Sequence, residues 1–140
     1  MNVNLEKAAP VLDAYVSDIL DKISDDKFDA AENVLKHIKK FLDYFNLTID
    51  EKSVSKISDA YVNDIYECIE DDNYDDAEAR IDELKDFLAD FGLTAEEKQV
   101  SKIMNSYASL VKHCIGKEEF DKADEFREKM EKFKEEIEPQ

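Results

Sequence analysis

Apolar residues recur three and four positions apart along most of the chain, a spacing that places side chains on one face of an α-helix. One such stripe, over about 49–71, consists of Val54, Ile57, Tyr61, Ile65 and Cys68. The next, over about 74–91, consists of Tyr74, Ala77, Ile81, Leu84, Leu88 and Phe91. A short polar segment at 71–73 separates them. The pattern predicts two amphipathic helices joined by a tight turn.

The same pattern occurs three times with a period of 46 residues. Tyr15, Tyr61 and Tyr107 share this offset. Further triplets in the same frame are Ile19, Ile65 and Val111; Ile23, Ile69 and Ile115; Phe28, Tyr74 and Phe120; Ala31, Ala77 and Ala123; and Phe41, Phe87 and Phe133. A constant period is typical of arrays whose units bury their faces against neighbours. We predict one all-α domain, 1–140, made of three hairpins at about 1–46, 47–92 and 93–140.

Signals for helix ends lie between the predicted helices. Thr48 and Glu51 fit a capping box, and Asn46 before them suits a left-handed helix end. Asn73 is predicted to cap the helix that follows it. Gly116 is predicted to help end the first helix of the third hairpin. The third hairpin begins with equivalent signals at Gly92, Thr94 and Glu97.

The last predicted helix has only one apolar face. Arg127 and Lys134 stand where the second hairpin has Ile81 and Leu88. A polar outer face is what the terminal unit of an array needs, so the third hairpin is predicted to cap it. The first hairpin keeps apolar residues on its second helix and is therefore a candidate surface for homo-oligomerisation; these residues are Val34, Leu35, Ile38 and Phe41.

Composition supports a folded helical chain and excludes several partners. The chain is 43% hydrophobic with only two Gly and two Pro, which suits long helices. Its net charge of −17 disfavours direct binding to nucleic acid and to anionic membranes. It has no apolar run near the ~20 residues of a membrane-spanning helix and no signal-peptide core at its N-terminus. Two cysteines are too few for a disulfide framework, so we expect a reducing, cytoplasmic setting.

No catalytic, metal-binding or cofactor-binding pattern emerges. The segment 71–82 resembles a calcium loop only superficially, because it has Asp76 and Asp82 where such loops need Gly and Glu. His37 lacks the glycine that follows a phosphotransfer histidine and fits a solvated helix face. His113 and Cys114 are adjacent on one helix and point roughly 100° apart, which is poor geometry for chelation. We predict a protein that is not an enzyme.

The start of each second helix resembles the tetratricopeptide-repeat signature, in which an aromatic residue precedes a small alanine by three positions. The matching segments are 27–31, 73–77 and 119–123. The glycine of that family's first helix is replaced by Ile19, Ile65 and Val111, and its closing proline is missing. The period also exceeds the ~34 residues of that family and falls in the ~40–47 range of HEAT-like pairs, which remain an alternative. The resemblance implies a right-handed α-solenoid of six main helices.

The resemblance further implies that a ligand lies against the inner face formed by the first helix of each hairpin. Carried over by position, this face consists of Asp13, Val16, Leu20, Asp59, Val62, Tyr66, Asn105, Ala108 and Lys112. Its apolar members lie off the main helical stripe, so they fit either a partly exposed groove or core between neighbouring hairpins.

Acidic residues concentrate at the turn within each predicted hairpin. We define the acidic edge as Asp25, Asp26, Asp71, Asp72, Asp75, Asp76, Glu118 and Glu119. Such residues favour the start of a helix, and as a surface they could also bind a basic partner. The main prediction is an adaptor or scaffold that binds a protein or peptide in its groove. The alternative is an acidic decoy that mimics nucleic acid and occupies a basic surface.

Overall fold

The computed structural model describes residues 5–91 and 97–137, and these form six α-helices with no strand among them. The helices are α1 (Leu5–Ser24), α2 (Phe28–Phe45), α3 (Glu51–Glu70), α4 (Tyr74–Asp90), α5 (Glu97–Gly116) and α6 (Phe120–Ile137). The prediction of an all-α chain is confirmed. The first residues of α1, α3 and α5 follow one another at the 46-residue offset seen in the sequence, and so do their last residues. The first residues of α2, α4 and α6 show the same offset.

The turns that follow α1, α3 and α5 share one left-handed conformation. The residues with a positive φ are Asp26, Asp72 and Glu118, at 59°, 59° and 60°. In the second turn the Asn73 amide donates to the Cys68 carbonyl at 2.8 Å, and the other turns make the equivalent bond at 2.8 and 2.9 Å. This Schellman geometry satisfies carbonyls that a helix end would otherwise leave unpaired.

The left-handed end predicted for α2 is confirmed. Asn46 has φ 54° and ψ 47°. The Leu47 amide donates to the Leu42 carbonyl at 2.8 Å, and the Asn46 amide donates to the Asp43 carbonyl at 3.2 Å. The equivalent signals at 92–94 lie outside the described residues.

The capping box predicted for α3 is wrong in its first residue. Helix α3 begins at Glu51, so its N-cap is Asp50 and not Thr48. The Asp50 carboxylate accepts hydrogen bonds from the Ser53 amide at 3.2 Å and from the Ser53 hydroxyl at 2.6 Å. An aspartate at this position satisfies an orphan amide and also complements the positive end of the helix.

Two other predictions at helix ends are right in position. Asn73 is the N-cap residue of α4, but its side chain makes no capping bond to the backbone; its side-chain amide donates to Asp76 at 2.6 Å. Helix α5 ends at Gly116 as predicted, although the positive φ of that turn belongs to Glu118. The turn therefore follows from its backbone hydrogen bonds and not from a glycine.

The chain divides into two compact units, Met1–Tyr61 and Val62–Gln140, and the division falls inside α3. In the first unit α1 packs against α2, and the rings of Tyr15 and Phe41 lie 6.1 Å apart. Its buried residues include Ile19, Ala31 and Ile38. The prediction of a single domain with three stacked units stays a prediction.

In the second unit α5 packs against both α4 and α6. The rings of Tyr107 and Phe133 lie 6.4 Å apart. These residues are the repeat equivalents of Tyr15 and Phe41, which form the ring pair of the first unit. Lys85 of α4 places its ammonium 5.3 Å from the centre of the Phe133 ring, and Lys129 of α6 pairs with Glu78 of α4. These contacts fix α4, α5 and α6 as one packed group.

Helix α6 has the single apolar face that its sequence predicts. Phe126 and Phe133 are buried, whereas Arg127 is exposed and pairs within its own helix, with Asp124 at 2.8 Å and Glu131 at 2.9 Å. A guanidinium that pairs along its own helix keeps the outer face hydrated.

Candidate functional site

A cleft opens within the second unit between the end of α3 and the last turns of α5. Its volume is about 450 Å³, within the range of ligand-binding sites. It is lined by Ile69, Ser109, Lys112, His113, Gly116 and Lys117. Helical spacing brings these α5 residues together, because positions three and four apart share a face. The cleft combines one apolar residue of α3 with a polar and cationic wall from α5.

The cations lie at the C-terminal end of α5, where a helix favours positive charge. His113 is in the last turn of the helix, and Lys117 follows one turn later. In a chain with a net charge of −17, this cluster is a local exception. It gives the cleft an attraction for carboxylates or other anionic groups that most of the surface lacks.

Asp72 holds two of these side chains, His113 and Lys117, in place from the turn between α3 and α4. The Nε2 atom of His113 donates a hydrogen bond to the Asp72 carboxylate, and the Lys117 ammonium lies 3.4 Å from its other oxygen. The hydrogen bond from His113, followed by the interactions with Lys117, lowers the pKa of Asp72. The His113 ring also packs against Tyr74, with centroids 5.9 Å apart. The cationic wall is therefore positioned by the preceding turn and by α4.

Lys112 differs from its neighbours in the cleft. It is exposed, and no carboxylate pairs with it in the part of the chain that the structure describes. An ammonium group in this state is hydrated and available, so a ligand can pair with it without first breaking an internal contact.

Both thiols of the chain are held in the protonated form. Burial and the nearby Asp64 carboxylate raise the pKa of the Cys68 thiol to about 11. Burial likewise raises the pKa of Cys114, which packs beside the Tyr74 hydroxyl. Because the thiolate is the nucleophilic form, neither group is activated for attack at neutral pH. The cysteines behave as apolar packing residues.

The predicted groove residues of the first unit have mixed environments. On α1, Asp13 is exposed, Leu20 is half-buried and Val16 is only 3% exposed. Asp59 on α3 is exposed. Burial of Val16 favours its interpretation as core and leaves Leu20 as the apolar residue with a solvent-facing part.

In the second unit, one predicted groove residue lies in the cleft. Lys112 lines it, while Asn105 and Ala108 are exposed on α5 without lining it. On α3, Val62 is buried at 9% exposure and Tyr66 is half-buried. Val62, like Val16, has the burial of a core residue.

The remaining lining residues were not predicted from the sequence, although the repeat offset contains a usable signal. His113 and Lys117 stand where the second hairpin has Glu67 and Asp71. A change from two carboxylates to two cations at equivalent positions distinguishes α5 from the other first helices. Comparing charge across the repeats would have found them.

All eight residues of the acidic edge are exposed. Within the second unit, Asp72 interacts with His113 and Lys117, and Asp76 interacts with Asn73. Part of this charge is therefore used inside the fold, and the rest faces solvent.

Over the residues the structure describes, no three His, Cys, Asp or Glu side chains form a group able to hold a metal ion. Each helix in that part of the chain is also too short or too polar to cross a bilayer. Comparisons of the chain with protein families, with curated proteins and with solved structures found no match.

Proposed function

We propose that the chain is a non-catalytic interaction module: a right-handed, tetratricopeptide-like stack of three hairpins that binds a peptide segment of a partner protein. The observation that carries this proposal is the open cleft beside α5, in which Lys112 presents an unpaired ammonium. The cleft lies between α3 and α5, the first helices of the second and third hairpins. Of the residues that the tetratricopeptide resemblance implies for the ligand face, Lys112 lines this cleft.

The chemistry of the cleft favours an acidic segment with at least one apolar side chain. A carboxylate can pair with Lys112, the Ser109 hydroxyl can donate or accept a hydrogen bond, and Ile69 offers an apolar contact. Opposite charge also speeds the encounter between the partners. A peptide docked in this way would be held by a few contacts around Lys112.

The test is selection of peptides from a random display library on the immobilised chain, followed by affinity measurements by fluorescence anisotropy. We expect selected peptides to be acidic and to bind the Lys112→Glu variant at least about tenfold more weakly, equivalent to about 1.4 kcal/mol. Lys132→Glu is the matched control, since Lys132 is an exposed lysine on α6 outside the cleft. Equal losses in the two variants, or none in Lys112→Glu, would rule out the cleft as the site.

The exposed acidic edge supports a second candidate function, a decoy that occupies a basic surface of a partner. Salt screens the attraction between exposed carboxylates and a basic surface. The affinity of a decoy complex should therefore fall steeply as ionic strength rises. A complex that keeps its affinity in high salt and depends on the apolar contact at Ile69 would instead favour the cleft.

We also propose a reducing, cytoplasmic location and self-association through the first unit. The free thiols of Cys68 and Cys114 suit a reducing compartment. Val34, Leu35 and Ile38, which the sequence offered for this contact, are buried, so the apolar surface for a second copy consists instead of Val11 and Tyr44, which are 43% and 82% exposed. Sedimentation equilibrium of the wild type and of Tyr44→Asp tests this: a dimer that dissociates in the variant supports pairing, and a monomeric wild type excludes it.

A further inference from the structure

The turn end of the third hairpin exposes apolar side chains that the second hairpin buries. Ile115 and Phe120 are 51% and 61% exposed. Their equivalents at the 46-residue offset, Ile69 and Tyr74, are 5% and 9% exposed. The polar back of α6 therefore caps only part of the last hairpin. Its turn end keeps the apolar character of an internal unit.

The second unit shows what covers this surface when it is buried. The Tyr74 ring packs against His113 of α5 at 5.9 Å and against Phe126 of α6 at 6.1 Å. Beside it, Asp72 pairs with His113 and Lys117. The covering element is thus a helix end that brings two basic side chains, the imidazole of His113 and the ammonium of Lys117, to the carboxylate of the turn.

The third hairpin carries the same set of groups. Glu118 has the position and the left-handed backbone of Asp72, with φ of 60° against 59°. It is exposed, and no cation pairs with it in the described ranges 5–91 and 97–137. Ile115 and Phe120 lie on either side of it in sequence. The third hairpin therefore presents apolar side chains and a carboxylate in the same sequence order as the second hairpin, in which the carboxylate and the aromatic ring contact α5.

We propose that Ile115, Glu118 and Phe120 form a second docking surface, distinct from the cleft, for a helix of a partner protein that carries two cationic side chains one turn apart. The aromatic ring and the isoleucine pack against apolar positions of that helix, and Glu118 pairs with its cations. The contact copies the one that Asp72 and Tyr74 make with α5.

Charge argues against a second copy of this chain as the occupant. The residues of the first hairpin at the positions of His113 and Lys117 are Asp21, in α1, and Asp25, just after it, and both are exposed. Docking α1 of another copy in the same way would bring these carboxylates against Glu118, and like charges in contact repel. The net charge of −17 likewise favours a basic partner at this surface.

The probe for this surface is a stapled helical peptide with the sequence of residues 101–117, because it carries His113 and Lys117 in the geometry that α5 presents. Stapling is needed since isolated helices of this length are marginal in water. Its affinity for the full chain is measured by fluorescence anisotropy. We expect binding, and at least about tenfold weaker binding to Phe120→Asp. An aspartate suits the first residue of α6, so the variant should fold.

Three controls make the result decisive. Tyr44→Asp removes a ring that is even more exposed than Phe120 and lies elsewhere in the chain, and Asp90 already occupies the equivalent position in the second hairpin, so the affinity of this variant should equal that of the wild type. Lys112→Glu should also leave this affinity unchanged, which separates this surface from the cleft. A peptide with Glu in place of His113 and of Lys117 should bind at least about tenfold more weakly.

The proposal is overturned if the cationic peptide does not bind, if the acidic peptide binds equally well, or if Tyr44→Asp weakens binding as much as Phe120→Asp. It is also overturned if sedimentation equilibrium shows a wild-type dimer that Phe120→Asp dissociates, because the occupant would then be a second copy.

Discussion

His113 on α5 donates a hydrogen bond from Nε2 to the carboxylate of Asp72, which lies in the turn between α3 and α4. The two residues are 41 positions apart, so the contact joins one helical hairpin to the next within the second unit. Lys117 adds a salt bridge to the same carboxylate at 3.4 Å. One exposed aspartate thereby orients two of the three cations beside the cleft.

This contact predicts the titration of Asp72. Because its pKa is lower in the folded chain than in the unfolded chain, the interaction stabilises the fold above the ordinary aspartate pKa of about 3.9 and is lost as the pH falls through the folded value. In His113→Ala the pKa of Asp72 should rise toward its ordinary value. Carboxyl-carbon NMR across an acid titration measures this.

Lys117→Ala is the control for that titration. The hydrogen bond from His113 is the larger cause of the lowered pKa, so the lysine variant should raise the pKa of Asp72 by less. A larger effect in Lys117→Ala than in His113→Ala would show that the salt bridge dominates.

The environments of two buried serines predict different effects of alanine substitution on the free energy of unfolding. The Ser58 hydroxyl is buried and has no hydrogen-bond partner in the described part of the chain. The Ser106 hydroxyl is also buried but donates to the Lys102 carbonyl at 2.8 Å. Since an unsatisfied buried hydroxyl is costly, Ser58→Ala should raise the free energy of unfolding by about 1 kcal/mol. Ser106→Ala should leave it unchanged or lower it by about 1 kcal/mol.

Urea denaturation followed by circular dichroism compares the two serine variants. A loss of stability in Ser58→Ala as large as in Ser106→Ala would mean that the Ser58 hydroxyl has a partner in solution.

The raised pKa of Cys68 predicts slow alkylation. With the thiol titrating at about 11, only a very small fraction is thiolate at neutral pH, and only the thiolate reacts. Labelling with iodoacetamide should be much slower for the folded chain than for urea-unfolded chain at the same pH. Replacing the neighbouring carboxylate in Asp64→Asn should lower the pKa and speed the labelling. Equal rates in folded and unfolded chain would contradict the assigned environment.

Gly116 predicts a stabilising substitution. It ends α5 without a positive φ, and a Cβ built there would meet no atom within 4 Å. Gly116→Ala should therefore raise the free energy of unfolding by about 0.5 kcal/mol, because alanine loses less backbone entropy in a helix. Thermal unfolding measures the shift. A lower melting temperature would show that the glycine conformation is needed at this position.

Sequence and structure agree best where the determinants are local. The periodicity predicts the positions of α3 and α4, and Asn46 predicts the left-handed end of α2. The turns within the hairpins were predicted, but the left-handed conformation of Asp26, Asp72 and Glu118 was not, because non-glycine residues rarely adopt a positive φ and no local signal replaces the glycine. Their acidic side chains indicated helix capping, whereas in the structure the backbone of these residues forms the turn itself.

The candidate site was predicted less well than the helices. Lys112 was assigned to the ligand face by position, and it lines the cleft. His113 was considered as a metal ligand with Cys114, and its partner instead lies on the preceding hairpin. Such a contact depends on the packing of α5 against α4, which no window of the sequence contains.

The sequence by itself determined the helices, their 46-residue recurrence and the polar outer face of α6, because backbone hydrogen bonds and amphipathic spacing act within a few residues. Only the tertiary structure decided which equivalent residues are buried. Tyr74 packs against α5 and α6 and Ile69 is buried beside it in sequence, while Ile115 and Phe120 stand at the equivalent positions and remain exposed. Burial depends on the neighbouring element, and a repeated sequence does not state whether that neighbour is present.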